Sequence, residues 1–304
     1  MNYDTNSTQT LSPVGLGTLI KYHFQIAKVP LCLLVAFSAF FGYFLAIPQS
    51  FVPGLLVFLG VLMLATGAAT LNSVQERRAD QAMGRTRSRP LVQGVVSRRR
   101  GLLQAQLLLG LGFFILYVGF PTLAPVLTGI LSVFLYNFLY TPLKHKTVWA
   151  IIPGALCGAV PPYIGWLAAG GSYYSPVIMG VVALFIVWQI PHFWLVVLDN
   201  QRDYHSSDIP NMLKMMPVRS LRRVSIVWVL SLVTILHIIV LLLVDIASLG
   251  RAIISFGSLF FLIFYAYQLG FKNRLSYRFL FIALNIFMFM VMVILACGSL
   301  ARGG

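Results

Sequence analysis

Nine stretches of this chain are each about as long as a helix must be to cross a bilayer, and almost no charge interrupts them. They run at 29–47, 51–72, 102–120, 122–140, 149–169, 176–198, 224–245, 252–270 and 279–298. A hydrocarbon core about 30 Å thick takes about 20 apolar residues in a helix. In lipid every backbone amide must find its partner within the protein, so only helices and closed barrels span. These runs are continuously apolar and lack the alternation of a barrel strand. The predicted fold class is therefore all-α: a polytopic helical bundle of about nine transmembrane helices. One transmembrane domain, 29–298, is expected, with an N-terminal cytoplasmic segment at 1–28 and a short external tail at 299–304. Composition agrees, since 59% of residues are hydrophobic and 10% charged, where soluble domains run at roughly 45–50% and about 25%.

The charge that remains is lopsided, with 22 Lys and Arg against seven Asp and Glu. A net charge of +15 often marks nucleic-acid binding, but that needs a basic face on a water-soluble body, and no nucleic-acid partner is expected. The positive-inside rule accounts for it instead. The connections after spans 2, 4, 6 and 8 hold 18 of the 22 positive residues, and Lys21 and Lys28 precede span 1 on the same side. Only Arg251 and Arg302 fall opposite. The N-terminus and the even-to-odd loops are thus expected in the cytoplasm. The first twenty residues lack the pattern of a signal or transit peptide, which favours a bacterial inner membrane. Cys32, Cys157 and Cys297 all lie in apolar runs, so neither a disulfide framework nor a cysteine metal site is indicated.

Five of the seven acidic residues stand in two of these basic loops: Glu76 and Asp80 in the loop at about 73–101, and Asp199, Asp203 and Asp208 in the loop at about 199–223. Asn72, Glu76 and Asp80 recur at i, i+4 and i+8, which puts three oxygen donors on one face of a helix continuing out of span 2. Oxygen donors with carboxylates suit Mg²⁺, which shares its shell with substrate phosphates. Arg85, Arg87 and Arg89 stand beside them as forks for phosphate oxygens. In the second loop Asp199 and Asp203 repeat the i, i+4 spacing. Two acidic clusters facing each other with arginines between describe a site for Mg²⁺-diphosphate. The plainer alternative is that these carboxylates neutralise neighbouring arginines. The recurrence of span–span–acidic loop, then span–span–basic loop, in 29–148 and 149–278 points to an internal repeat.

The pattern N-x₃-E-x₃-D-x₂-M-x-R-T-x₂-R-P-L, carried by Asn72, Glu76, Asp80, Met83, Arg85, Thr86, Arg89, Pro90 and Leu91, resembles the signature of the UbiA-type intramembrane prenyltransferases. Within that family it is most similar to the haem O synthase (protohaem IX farnesyltransferase) branch. YTPLK at Tyr140–Lys144, GALCGAVPPYIGW at Gly154–Trp166, WQIPHF at Trp188–Phe193 and RDY at Arg202–Tyr204 match that branch in order and spacing. The resemblance runs from about residue 30 to 295. Position 76 is Glu where many members carry Asp, Asn200 stands where Arg is often found, and Asp208 and Asn211 depart from the pattern after RDY.

The resemblance implies farnesyl diphosphate as donor, haem b as acceptor and Mg²⁺ as cofactor. It implies Asn72, Glu76, Asp80 and Asp203 as metal ligands, and Arg85, Arg89, Lys144 and Arg202 on the diphosphate. Lys144 reads equally as a positive-inside anchor. His192, Trp188 and Tyr140 are candidates for the acceptor pocket. A histidine beside Pro191 inside a span marks a functional site, or else bonds a carbonyl that the proline frees. Haem A synthase or oxidase-assembly partners would receive the product. Two other readings are a prenyltransferase for a quinone precursor such as 4-hydroxybenzoate, and a transporter. Transporters gather ionisable groups near the midplane, whereas here the polar load lies at one face.

Overall fold

The computed structural model describes residues 15–48, 50–206, 208–271 and 276–300. The first 14 residues and the last four, together with Lys272 and Arg274, lie outside the described residues, and with them much of the expected N-terminal and external segments. Among the described residues there are no strands, and nine helices are long and apolar enough to cross a membrane. The elements are α1 (Leu16–Ile26), α2 (Val29–Ala46), α3 (Phe51–Gln75), α4 (Arg77–Ala82), α5 (Arg98–Gly119), α6 (Ala124–Val133), α7 (Thr141–Leu143), α8 (Ile151–Ala168), α9 (Pro176–Asp199), α10 (Gln201–Ser206), α11 (Val218–Ile238), α12 (Ser248–Phe271) and α13 (Tyr277–Leu300). The protein is a multi-pass membrane protein. Large apolar side chains such as Leu242 (76% exposed) and Phe256 (74%) point outward, an arrangement that water would penalise and lipid solvates.

The spans extend beyond the apolar runs where polar residues can finish a helix. Ser97 accepts the amide of Arg100 at 3.3 Å, which starts α5 at Arg98 and places the three arginines in its first turn. Such N-caps satisfy a donor that the helix leaves orphaned, and the three arginines are exposed.

Two features position the site. First, α2 and α8 meet backbone to backbone: a Cβ on Gly42 would collide with the Pro162 carbonyl, and one on Gly165 with the Ala39 carbonyl. Small residues allow this approach where lipid supplies no hydrophobic drive. Each half of the molecule then follows its second span with a helix of six residues, α4 or α10. Second, span 4 is not one α-helix. Between α6 and α7 the backbone widens into a π-helical segment, Phe134–Tyr140. Pro142 lacks the amide that the 138 carbonyl needs, and the Thr141 hydroxyl donates to the Tyr136 carbonyl at 2.8 Å. The widened turn brings Asn137 against α3, where its amide donates to the Ala68 carbonyl at 2.9 Å and to Gln75 Oε1 at 3.2 Å. Such π-bulges are frequent at functional sites.

Candidate active site

Where α3 ends, Glu76 adopts φ −87°, ψ 0°, and α4 resumes at Arg77. The helical register survives the joint: the Glu76 amide donates to the Asn72 carbonyl at 2.9 Å, and the Asp80 amide to the Glu76 carbonyl at 2.8 Å. Asn72, Glu76 and Asp80 therefore keep one face and are all buried. They line a cavity of about 450 Å³ together with Lys28, Arg85, Arg89 and Lys144. Elsewhere the wall is apolar, with Leu31, Val35, Val61, Leu64 and Ile164, and aromatic, with Tyr136, Tyr140 and Phe193. Tyr136 stacks on Tyr140 at 5.9 Å between centroids, and Tyr140 on Phe193 at 6.0 Å.

Each oxygen donor carries a cation. Lys28 Nζ donates to Asn72 Oδ1 at 2.9 Å, Arg89 Nη1 meets Asp80 Oδ2 at 2.6 Å, and Lys144 Nζ pairs with Glu76 Oε1. The Asn72 amide nitrogen donates to Thr141 at 3.0 Å, which ties α3 to the far end of the π segment. The Thr86 hydroxyl donates to the Asp80 carbonyl at 2.9 Å, folding the loop so that Arg89 reaches back. Burial pushes the Glu76 carboxyl up, but Lys144, Lys28 and Asn72 outweigh it and hold it below the ordinary carboxylate value. Burial, then the neighbouring Arg89, brings the Lys28 ammonium down to about 8. His145, 4.0 Å from Glu76, is lowered by burial and by Lys144.

Lys28 was absent from the sequence-derived site. It stands between α1 and α2 with φ 51°, a left-handed conformation uncommon outside glycine, and that turn carries its side chain to a residue 44 positions away. A lysine directly before the Pro-bearing first turn of α2 was the available signal.

Two carboxylates against four cations leave this part of the cavity wall positive, so it suits an anion. Among the described residues no three of His, Cys, Asp or Glu gather to close a metal shell. Two carboxylates and one amide oxygen form an incomplete oxygen set, which fits Mg²⁺ that completes its shell with phosphate.

The other expected residues fall differently. Tyr140 and His192 line the cavity, whereas Trp188 does not; it packs on His192 from behind, with centroids 4.9 Å apart. Asp203 and Arg202 lie outside the lining. Asp203 Oδ2 accepts the backbone amide of Arg85 at 3.3 Å, so it joins the second loop to the first. Asp199 is not part of a facing acidic cluster. Its Oδ1 accepts the Arg278 amide at 3.1 Å and so caps the start of α13. Asp208 is exposed. Asn211 is buried and folds the second loop, donating to the carbonyls of Tyr204 (3.2 Å) and Ile209 (3.0 Å) and accepting the Leu213 amide at 3.1 Å. Tyr204 lines the cavity, and burial raises its phenol above the usual value.

Residues 35–274 match the model of the UbiA prenyltransferase family. The chain belongs to the UbiA prenyltransferase family. This UbiA-family chain is 39% identical over 196 residues to protoheme IX farnesyltransferase of Nitratidesulfovibrio vulgaris (strain Hildenborough), covering 64% of the chain and 68% of that relative. It is 39% identical over 202 residues to protoheme IX farnesyltransferase 1 of Shewanella sp. (strain MR-4), covering 64% of each. Its fold is similar to that of a digeranylgeranylglyceryl phosphate synthase (TM-score 0.74, 13% identity, 93% of this chain and 99% of that one). It is also similar to a UbiA homologue from Archaeoglobus fulgidus solved with GPP and Mg²⁺ (TM-score 0.69, 17% identity, 92% and 99%). The all-α bundle and the family expected from the sequence both hold, and the chain is a prenyltransferase.

Proposed function

We propose that this enzyme transfers a farnesyl group from farnesyl diphosphate to a vinyl group of haem b and that water completes the product, haem O. Family membership and the relatives named protoheme IX farnesyltransferase support the reaction class and the acceptor. The observation that carries the chemistry is the buried Asn72–Glu76–Asp80 face, each member held by a cation, at the head of an apolar and aromatic cavity.

Arg85, Arg89 and Lys144, joined by Lys28, hold the diphosphate oxygens, as guanidinium forks and ammonium groups do. The cations that now sit on Glu76 and Asp80 have only to turn toward the phosphates. Asn72, Glu76 and Asp80 are the oxygens that would hold Mg²⁺, which when bound neutralises charge on the leaving diphosphate. Asp203 fixes the Arg85 backbone and is a positioning residue; Arg202 lies outside the lining. Charge fixed in place before the C–O bond breaks stabilises the separating diphosphate. The allylic cation then lies among Tyr136, Tyr140 and Phe193, whose ring faces stabilise positive charge. The dry apolar wall keeps water from that cation until the vinyl group has added. The haem vinyl attacks the farnesyl terminus, and water adds to the carbon left positive beside the ring. The enzyme works in a bacterial inner membrane with the charged end of its cavity at the cytoplasmic face, and hands its product to haem A synthase or to oxidase assembly.

The test is direct. Membranes carrying the protein, supplied with haem b, farnesyl diphosphate and Mg²⁺, should yield a more hydrophobic haem that elutes later on reverse-phase chromatography. Chelation of Mg²⁺ should stop it. Prenylation of 4-hydroxybenzoate with haem b untouched would overturn the acceptor.

A further inference from the structure

Helix α9 carries a row of buried polar atoms without partners that diphosphate chemistry does not use. Among them are Gln189 Oε1 and His192 Nδ1. Buried polar atoms in native interiors are almost always satisfied, by protein or by an ordered water. These two stand three residues apart, hence on one side of the helix, and both side chains belong to the cavity wall.

Each is held in place. A Cβ at position 158 would overlap the Gln189 amide, so the glycine there makes the room in which that amide sits between α8 and α9. The His192 ring is clamped by Trp188 at 4.9 Å, Phe281 at 4.6 Å and Phe193 at 5.8 Å. The Asn285 side chain lies beside it. The Asn285 nitrogen donates to the Phe281 carbonyl at 2.5 Å. Nδ1 is buried without a partner, and with the proton of the neutral ring on Nε2 it is an acceptor. Gln189 Oε1 is an acceptor as well. Whatever bridges the two must donate twice, and water does so. A water that gives both of its protons presents only lone pairs to the cavity, which makes it an oriented nucleophile.

We propose that Gln189 and His192 hold the water that ends the reaction, with His192 Nδ1 as its proton acceptor. The proposal rests on the haem reading above. The C–O bond of the donor breaks and diphosphate leaves, and the vinyl π electrons then form the bond to the farnesyl terminus. The inner vinyl carbon becomes cationic. The held water forms a C–O bond to that carbon, and its proton passes to His192 Nδ1. No oxidant or reductant enters. Without the held water the same cation loses a proton from the adjacent CH₂, and an alkene remains in place of the alcohol.

The experiment therefore reads the product and not only the rate. Wild type, Gln189→Leu, His192→Leu, Gly158→Ala and Gln189→Glu are given haem b, farnesyl diphosphate and Mg²⁺, and the haems are analysed by mass spectrometry. Wild type should give the hydroxylated product. Gln189→Leu, His192→Leu and Gly158→Ala should shift it to a species one water lighter, with the alcohol-to-alkene ratio falling about a hundredfold, the low end of what a lost general base costs. Gln189→Glu keeps an acceptor oxygen at the same place and should retain the alcohol. If a leucine variant forms no haem product, the contrast between Gly158→Ala and Gln189→Glu decides. Wild-type product ratios in every variant that turns over would overturn the proposal. A wild type that leaves haem b unmodified overturns the haem reading instead.

Discussion

Lys144, just past the end of span 4, reaches Glu76 at the joint between α3 and α4, and the two form an ion pair in which Glu76 is buried and Lys144 a quarter exposed. The pair brings together the lysine proposed to hold diphosphate and a carboxylate proposed to hold the metal. Removing one partner of a buried pair leaves an uncompensated charge.

Lys144→Met should therefore lower the stability of the ligand-free protein by about 3 kcal/mol. It should also weaken binding of the prenyl diphosphate. Thermal unfolding in detergent and a donor titration measure the two effects. Unchanged unfolding would mean that the pair holds nothing in the resting protein.

Asp80→Asn keeps the size of the side chain and removes its charge. Folding should change little, because Arg89 can still donate to the amide oxygen, while kcat should fall on the order of 10²–10³-fold with loss of charge at the leaving group. Asp208→Asn, at an exposed position, should leave activity within about twofold, as surface changes remote from such features usually do. Near-wild-type turnover in Asp80→Asn would remove that carboxylate from the metal set.

The contrast between the two acidic loops shows what the sequence can carry. Asn72, Glu76 and Asp80 were legible because the helical register runs through the joint at Glu76, so spacing alone placed three oxygens together. Asp199 and Asp203 have the same spacing, but α9 ends at Asp199, with Asn200 after it at φ −111°, ψ 36°, and the two carboxylates diverge, one to the start of α13 and one to the Arg85 amide. Periodicity predicts a shared face only while the helix continues. Lys28 and Asn137 escaped detection for another reason. Their partners lie 44 and 62 or more residues away, and reaching them needs a left-handed turn and a π-helical segment that no local pattern announces. The nine spans were plain because lipid leaves few alternatives to a long apolar helix.

Asp199 and Asp203 can be separated by experiment. Asp199→Ala removes the acceptor for the Arg278 amide and should cost about 1 kcal/mol, as for an N-cap, with kcat per folded molecule unchanged. Asp203→Ala should leave unfolding unchanged and weaken binding of the donor, since its contact fixes the backbone beside a cavity-lining arginine. Matching effects of the two substitutions on catalysis would restore the facing acidic cluster that their spacing implied.

Orientation makes the last test. The connections on the side of the cavity's charged residues carry most of the positive residues, and the connections on the other side carry few. Positively charged connections stay in the cytoplasm, so a reporter active only outside the inner membrane should be silent when fused after Arg100 or Arg223 and active when fused near Ser172, in the short turn between α8 and α9. The diphosphate donor and Mg²⁺ then reach the site from the cytoplasm. The reverse pattern of signals would put Asn72, Glu76, Asp80 and Lys144 on the outer face, away from a soluble source of either, and would undo the proposed route of substrate entry while leaving the fold untouched.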